Sequence, residues 1–252
     1  MKSVIKALYM AFGMFCTVPL PKFWDDSSAK HMMAWLPAVG IVVGAAWWGA
    51  AELVVFCGLH QALAAAVLTL VPFIMAGFIH LDGYMDTSDA VLSRRPLDEK
   101  LRILKDPHTG AFAVIMIAML FVLQFASLCA IVERSGAVIL LVIIPVLSRC
   151  GSAISILSIK LLSGEGYAFL FRPAKAAPHR IMTVLLALCA FAFAWLMAGL
   201  PGVIVSAAVV VSYAAAMLCA LISFKFKGVS GDLAGFSLVI SEMCGLIALA
   251  VV

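Results

Sequence analysis

Charge is what this sequence has least of. Only 12% of its 252 residues are Asp, Glu, Lys or Arg, against 65% hydrophobic, and the mean hydropathy is +1.16. A soluble domain carries about 25% charged residues to cover its surface, so a soluble globule is excluded. A disordered chain needs the opposite composition and is excluded too. A disulfide framework is absent as well: the seven cysteines are odd in number, form no Cys-x-x-Cys pair, and mostly sit inside apolar runs where free Cys packs as a small hydrophobe. The apolar runs also lack the period-2 alternation of barrel strands. What remains is an all-α, polytopic integral membrane protein, expected as a single membrane-embedded domain over residues 1–252.

A hydrocarbon layer about 30 Å thick takes roughly 20 apolar residues per helix. Windows of that kind lie at 35–57, 61–79, 111–132, 137–159, 181–199, 202–223 and 233–252, about seven transmembrane helices. Gly40 and Gly44, followed by Ala45 and Ala46, are expected to let neighbouring helices approach closely. Residues 3–19 read as an amphipathic or half-inserted helix, with a further span as the alternative. Of the 17 Lys and Arg, only Arg134 and Arg149 fall outside the N-terminal segment and the loops at 80–110, 160–180 and 224–232. Seven spans put all those segments on one side, and the positive-inside rule makes that side the cytoplasm. The net charge of +4 therefore reads as a topology signal and not as a nucleic-acid surface.

The 13 acidic residues are less evenly spread, and six of them (Asp82, Asp86, Asp89, Asp98, Glu99, Asp106) occupy one cytoplasmic stretch. On a helix, Asp82, Asp86 and Asp89 fall within about 60° of one another. Like charges on one face destabilise a helix by a few tenths of a kcal/mol per pair, so the pattern points to a cation that offsets them. Magnesium is the natural candidate, since it takes one or two carboxylates together with substrate phosphates and water. The alternative is an acidic helix end that solvates a loop. Asp106-Pro107-His108-Thr109-Gly110 closes the stretch; Asp106 is a further ligand, a base or a helix cap, and Gly110 lets backbone approach a phosphate. Arg94, Arg95, Lys100, Arg102 and Lys105 are phosphate partners or membrane anchors.

Charge within the spans is costly and marks function or its direct support. Arg149, Asp232 and Glu242 are the residues concerned. The Ser163-Gly164-Glu165-Gly166-Tyr167 loop either closes over a ligand or is a plain connection. A small transporter is the rival class, but it spreads polar groups along a midplane path and is often built from two related halves. Here the acids gather at one rim, and the Asp82–Asp89 pattern has no repeat.

His80-Leu81-Asp82-Gly83 with Asp86 and Asp89, then Lys105-Asp106-Pro107-His108 with Gly110-Ala111-Phe112, resembles the cobalamin-5′-phosphate synthase family, the adenosylcobinamide-GDP ribazoletransferases. The likeness extends to Thr17-Val18-Pro19-Leu20-Pro21, Leu36-Pro37 with Gly40, Ser148-Arg149, Glu165-Gly166, and Gly231-Asp232 with Gly235 and Glu242. Thr17-Val18-Pro19 stands where the family commonly carries an Arg before its Pro. The resemblance implies a magnesium-dependent membrane phosphotransferase in the last assembly step of the cobalamin nucleotide loop. It would join adenosylcobinamide-GDP to α-ribazole or α-ribazole 5′-phosphate and release GMP. CDP-alcohol phosphotransferases, which also use an Asp-rich helix, are the alternative by analogy. Under this reading Asp82, Asp86, Asp89 and Glu242 hold the metal. Gly83, Lys105, Gly110, Arg149 and Asp232 contact substrate. Asp89 or Asp106 takes the proton, with His80 and His108 as the other candidates. The expected setting is the lipid bilayer of the cell membrane with the site facing the cytoplasm, as a monomer or a homo-oligomer.

Overall fold

A computed structural model describes residues 2–21, 23–134, 137–163 and 167–252. Lys22 and the Gly164-Glu165-Gly166 part of the candidate closing loop lie outside the described residues. The chain is helical throughout: α1 Lys2–Phe15, α2 Asp26–Ala29, α3 Leu36–Phe56, α4 Gln61–Met75, α5 Ile79–Leu92 and α6 Leu97–Ile103. There follow α7 Ala111–Arg134, α8 Ile143–Ser158, α9 Tyr167–Leu170, α10 Ala177–Ala198, α11 Leu200–Ser223 and α12 Gly231–Val251. Among the described residues, six helical stretches are long and apolar enough to cross a membrane, or up to seven if α4 and α5 count as one broken span.

The bundle is apolar outside as well as in its core, with a small set of polar side chains enclosed. Leu196, Val211, Val122 and Phe56 point outward, while Ser148, Arg149, Ser152, Ser237, Ser241 and Glu242 are buried. Such an arrangement is stable where the surroundings are hydrocarbon. α8 and α12 are the most enclosed spans and α10 the least. Gly40 and Gly44 serve the expected close approach: a Cβ on either would meet α8 or the turn before it, 2.6 Å from the Pro145 carbonyl oxygen and 2.5 Å from that of Val142.

The second expected span, 61–79, is where structure and sequence part. α4 stops at Met75, and the chain turns by 93° into α5. Pro72 lies in the last turn of α4, and Gly77 and Phe78 both adopt left-handed backbone, with φ of +61°. That pair ends one helix and starts the next at a sharp angle. α4 rises only about 22 Å, less than the hydrocarbon thickness. The carbonyl of Met75, left open at the α4 terminus, accepts the Thr17 backbone N–H at 2.9 Å and its hydroxyl at 3.4 Å. Thr17 therefore caps the end of α4.

α1 is a docked helix with Ala7, Met10, Ala11 and Phe15 buried against the bundle and Ile5 exposed. Lys6 Nζ donates to Asp25 at 3.2 Å, tying the helix to the segment before α2. Near α12, Val229 N–H donates to the Lys160 carbonyl (2.8 Å) and Leu162 N–H to that of Val229 (2.9 Å), which seats the 160-loop over the start of α12.

Candidate active site

The acidic stretch is divided: Asp82, Asp86 and Asp89 lie on α5, Asp98 and Glu99 on α6, and Asp106 in the connection to α7. α5 packs chiefly against α12 and α7. The closest point is Gly83, where a Cβ would lie 2.8 Å from the Asp232 Cα. Gly83 is buried there and contributes close helix packing, which replaces the substrate contact expected of it. Gly235 repeats the approach one turn on, its Cβ position 3.2 Å from the His80 carbonyl oxygen.

This packing brings a new acid to the helix face. Asp232, in the first turn of α12, joins Asp82 and Asp86, and Asp86 feels the charges of Asp82, Asp232 and Asp89. Asp82 is exposed, Asp86 and Asp232 are partly buried, and Asp89 is buried. Among the described residues, no Lys, Arg or His forms an ion pair with any of the four. The α12 N-terminus supplies some compensation through its dipole, and Ser230 donates its hydroxyl to Asp232 Oδ2 at 3.2 Å.

Asp89 has a different task from its neighbours. Its Oδ2 accepts the Gly110 N–H at 2.7 Å and its Oδ1 accepts the Ala113 N–H at 3.0 Å. These are open donors at the start of α7, so the carboxylate caps that helix from α5. Gly110 N–H is thereby taken from any phosphate. A Cβ at Gly110 would sit 2.6 Å from Asp89 Oδ1. The expected metal set of Asp82, Asp86, Asp89 and Glu242 is not assembled: among the described residues no group of three His, Cys, Asp or Glu is arranged to hold a metal ion. Two carboxylates suffice for magnesium when phosphate and water complete its shell, and the Asp82–Asp86–Asp232 donor chemistry fits that requirement.

Glu242 is engaged elsewhere. Its Oε1 accepts Arg149 Nη1 at 2.7 Å and Ser148 Oγ at 2.8 Å, deep between α8 and α12. Arg149 also donates to the Pro145 carbonyl at 3.1 Å and is only 1% exposed. The two expected site residues are thus paired with each other inside the bundle, apart from Asp82 and Asp86. Asp106 and His108 satisfy each other: His108 N–H and Nδ1 lie 3.0 and 2.7 Å from Asp106 Oδ1. The backbone hydrogen bond, then the ring, holds the Asp106 carboxyl below its usual range. Both side chains are exposed, as is Lys105, and neither Asp106 nor His108 bonds to Asp82, Asp86 or Asp232. Among the stretch's bases, Lys100 donates to Ser223 Oγ at 2.6 Å and Arg95 lies 3.5 Å from Glu99, so these two brace helices.

A cavity of about 170 Å³ opens beside the acids, with His80, Asp82, Asp232, Ser152 and Phe15 in its wall. His80 stacks on Phe15 (5.9 Å between ring centres), and its Nε2 is buried with no hydrogen-bond partner among the described residues. Of the proton acceptors expected, His80 is the one in the wall of this cavity.

The sequence profile of the cobalamin-5-phosphate synthase family matches residues 7–250. A protein of Clostridium botulinum named adenosylcobinamide-GDP ribazoletransferase is 37% identical over 98% of this chain and 97% of its own length. One of Clostridium perfringens with the same name is 34% identical over 100% of both chains. Another, from Geobacillus thermodenitrificans, is 29% identical over 93% of this chain and 91% of its own. No solved structure matches.

Proposed function

This chain belongs to the cobalamin-5-phosphate synthase family of membrane transferases, and from that premise we propose that it joins adenosylcobinamide-GDP to α-ribazole or its 5′-phosphate. A ribose hydroxyl oxygen attacks the phosphorus that carries cobinamide. The new P–O bond forms as the bond to the bridging oxygen breaks, and the electron pair leaves with GMP. The observation that carries this reading is the unpaired Asp82–Asp86–Asp232 cluster at the mouth of a cavity. A diphosphate is too negative to enter such a cluster alone, so the acids require a divalent cation shared with it.

Two carboxylates from among Asp82, Asp86 and Asp232 would hold magnesium, with phosphate and water completing its shell. Bound there, magnesium screens the diphosphate oxygens and the charge that develops on departing GMP. The protein's own contribution is position. α5 and α12 fix the carboxylates through the Gly83–Asp232 approach, and Asp89 locks the start of α7 beside them. His80 is the residue assigned to accept the hydroxyl proton, since it lies in the wall of the same cavity and its buried Nε2 has no hydrogen-bond partner among the described residues. The grouping of basic loops on one side supports a site that opens to the cytoplasm of a cell membrane.

The test uses purified protein in lipid vesicles given adenosylcobinamide-GDP, α-ribazole and magnesium. GMP release that stops on chelation is the expected result. No GMP from either form of ribazole overturns the reading. A CDP-alcohol substrate that releases CMP in its place would move the protein to that class.

A further inference from the structure

Next to the acid cavity lies a second cleft of about 430 Å³, walled by Tyr9, Phe23, Trp24, Tyr167 and Met14. The two spaces share Met14 and Tyr167. A continuous file of rings joins them. Trp24 meets Tyr167 edge to face at 5.9 Å, Tyr167 stacks on Phe171 at 6.1 Å, Phe171 meets Phe15 at 6.2 Å, and Phe15 stacks on His80 at 5.9 Å.

Two of the three polar tips in the described wall of this cleft, all but the Tyr167 hydroxyl, are already used. Tyr9 O–H donates to the Pro21 carbonyl at 2.7 Å, and Trp24 Nε1–H donates to Asp26 Oδ1 at 2.6 Å. What remains open is ring surface: Trp24 is 43% and Tyr167 60% exposed. None of the described wall residues carries a charge. We propose that this cleft binds the planar base of the acceptor nucleoside, holding α-ribazole by stacking while its ribose reaches the acid cavity. The inference rests on the reading of the function given above.

Three other occupants fit less well. Guanine presents donors and acceptors on its edge, and a site that cannot answer them gains little from holding it. A corrinoid bearing its adenosyl group is far larger than the cleft. Phosphate requires basic or N–H donors, which the described wall lacks. The base of α-ribazole is a dimethylbenzimidazole with no exocyclic donor, and flat apolar surface is what it has to offer. Stacking of a base on an aromatic side chain is sequence-tolerant and is lost on alanine substitution.

The experiment compares steady-state kinetics of GMP release for wild type, Trp24→Ala, Tyr167→Ala, Trp24→Phe and Tyr167→Phe in vesicles. The alanine variants are expected to raise KM for α-ribazole about tenfold or more, while KM for adenosylcobinamide-GDP stays within about twofold. The phenylalanine variants should restore most of the affinity. Free dimethylbenzimidazole should compete with α-ribazole in wild type and lose potency in Trp24→Ala. The proposal falls if KM for the corrinoid substrate rises instead. It also falls if both KM values move together, as loss of an interfacial anchor would cause, or if Phe and Ala variants behave alike. If wild type releases no GMP, the functional reading is what has failed. Equilibrium dialysis of α-ribazole then tests the cleft alone: weaker binding by Trp24→Ala supports it, and equal binding overturns it.

Discussion

Arg149 and Glu242 form an ion pair inside the helix bundle, Nη1 to Oε1 at 2.7 Å, with 1% and 10% of their side chains exposed. Both charges are out of water and each depends on the other. The pair also joins α8 to α12, and so sets the position of the helix that carries Asp232.

Removing one member of a buried pair strands the other. Glu242→Gln is expected to cost about 3–5 kcal/mol, read as a lower midpoint of thermal unfolding in detergent. Arg149→Met with Glu242→Leu should recover most of that loss, because apolar side chains of similar size can replace such a pair. A double variant that is stable but no longer binds adenosylcobinamide-GDP would return Arg149 to the substrate site.

Asp89 is expected to behave as a cap. Asp89→Ala should cost about 1–2 kcal/mol of stability by exposing the Gly110 and Ala113 N–H groups, and Asp89→Asn less, since its amide oxygen still accepts one of them. Magnesium dependence of GMP release should be unchanged in Asp89→Asn. A large rise in the magnesium requirement would make Asp89 a ligand after all.

The cavity acids should show the opposite profile. Asp82→Asn, Asp86→Asn and Asp232→Asn are each expected to reduce GMP release by about a hundredfold or more, the scale of losing a group that stabilises transferring charge. Stability should hold or rise by a few tenths of a kcal/mol as like charges are relieved. Activity and unfolding measured on the same preparations check both halves.

Gly83→Ala tests the helix contact. The added methyl meets backbone of Asp232 at 2.8 Å, which no side-chain rotation relieves. Overpacking of this kind costs about 1–3 kcal/mol, and the displaced Asp232 should raise the magnesium concentration needed for half-maximal activity. Gly49→Ala, whose Cβ meets nothing within 4 Å, is the control.

Asp25 gives a pH dependence at the protein's edge. Hydrogen bonds from Ser28 first, then Ser27 and Lys6, bring its carboxyl from 3.8 down to about 2. A lowered carboxyl pKa means the docking contribution is present above 3.8 and lost as pH falls through about 2. Hydrogen exchange of α1 should therefore be faster in Asp25→Asn than in wild type at pH 7, with the difference closing towards pH 2.

Much of the site was legible because helical periodicity states which residues share a face. Asp82, Asp86 and Asp89 do lie on one helix, and Gly40 and Gly44 do admit α8. Periodicity says nothing about what lies opposite that face. Asp82 meets a cavity, Asp89 meets the N–H groups of α7, and Asp232 arrives from 143 residues of sequence away only because Gly83 lets α12 come close. The turn at 76–78 had local signals in Pro72 and Gly77, but a hydropathy window averages over them.

The sequence by itself determined the membrane class, six of the seven expected helical spans and the family, since these follow from composition and linear order. Only the tertiary structure decided which of the scarce charges are spent on holding helices together. Arg149, Glu242 and Asp89 find partners inside the bundle, where an unpaired charge or N–H is costly. Asp82, Asp86 and Asp232 find no basic partner among the described residues, Asp232 accepting only the Ser230 hydroxyl, and that difference, invisible in spacing, separates the carboxylates left for chemistry from those that hold the fold.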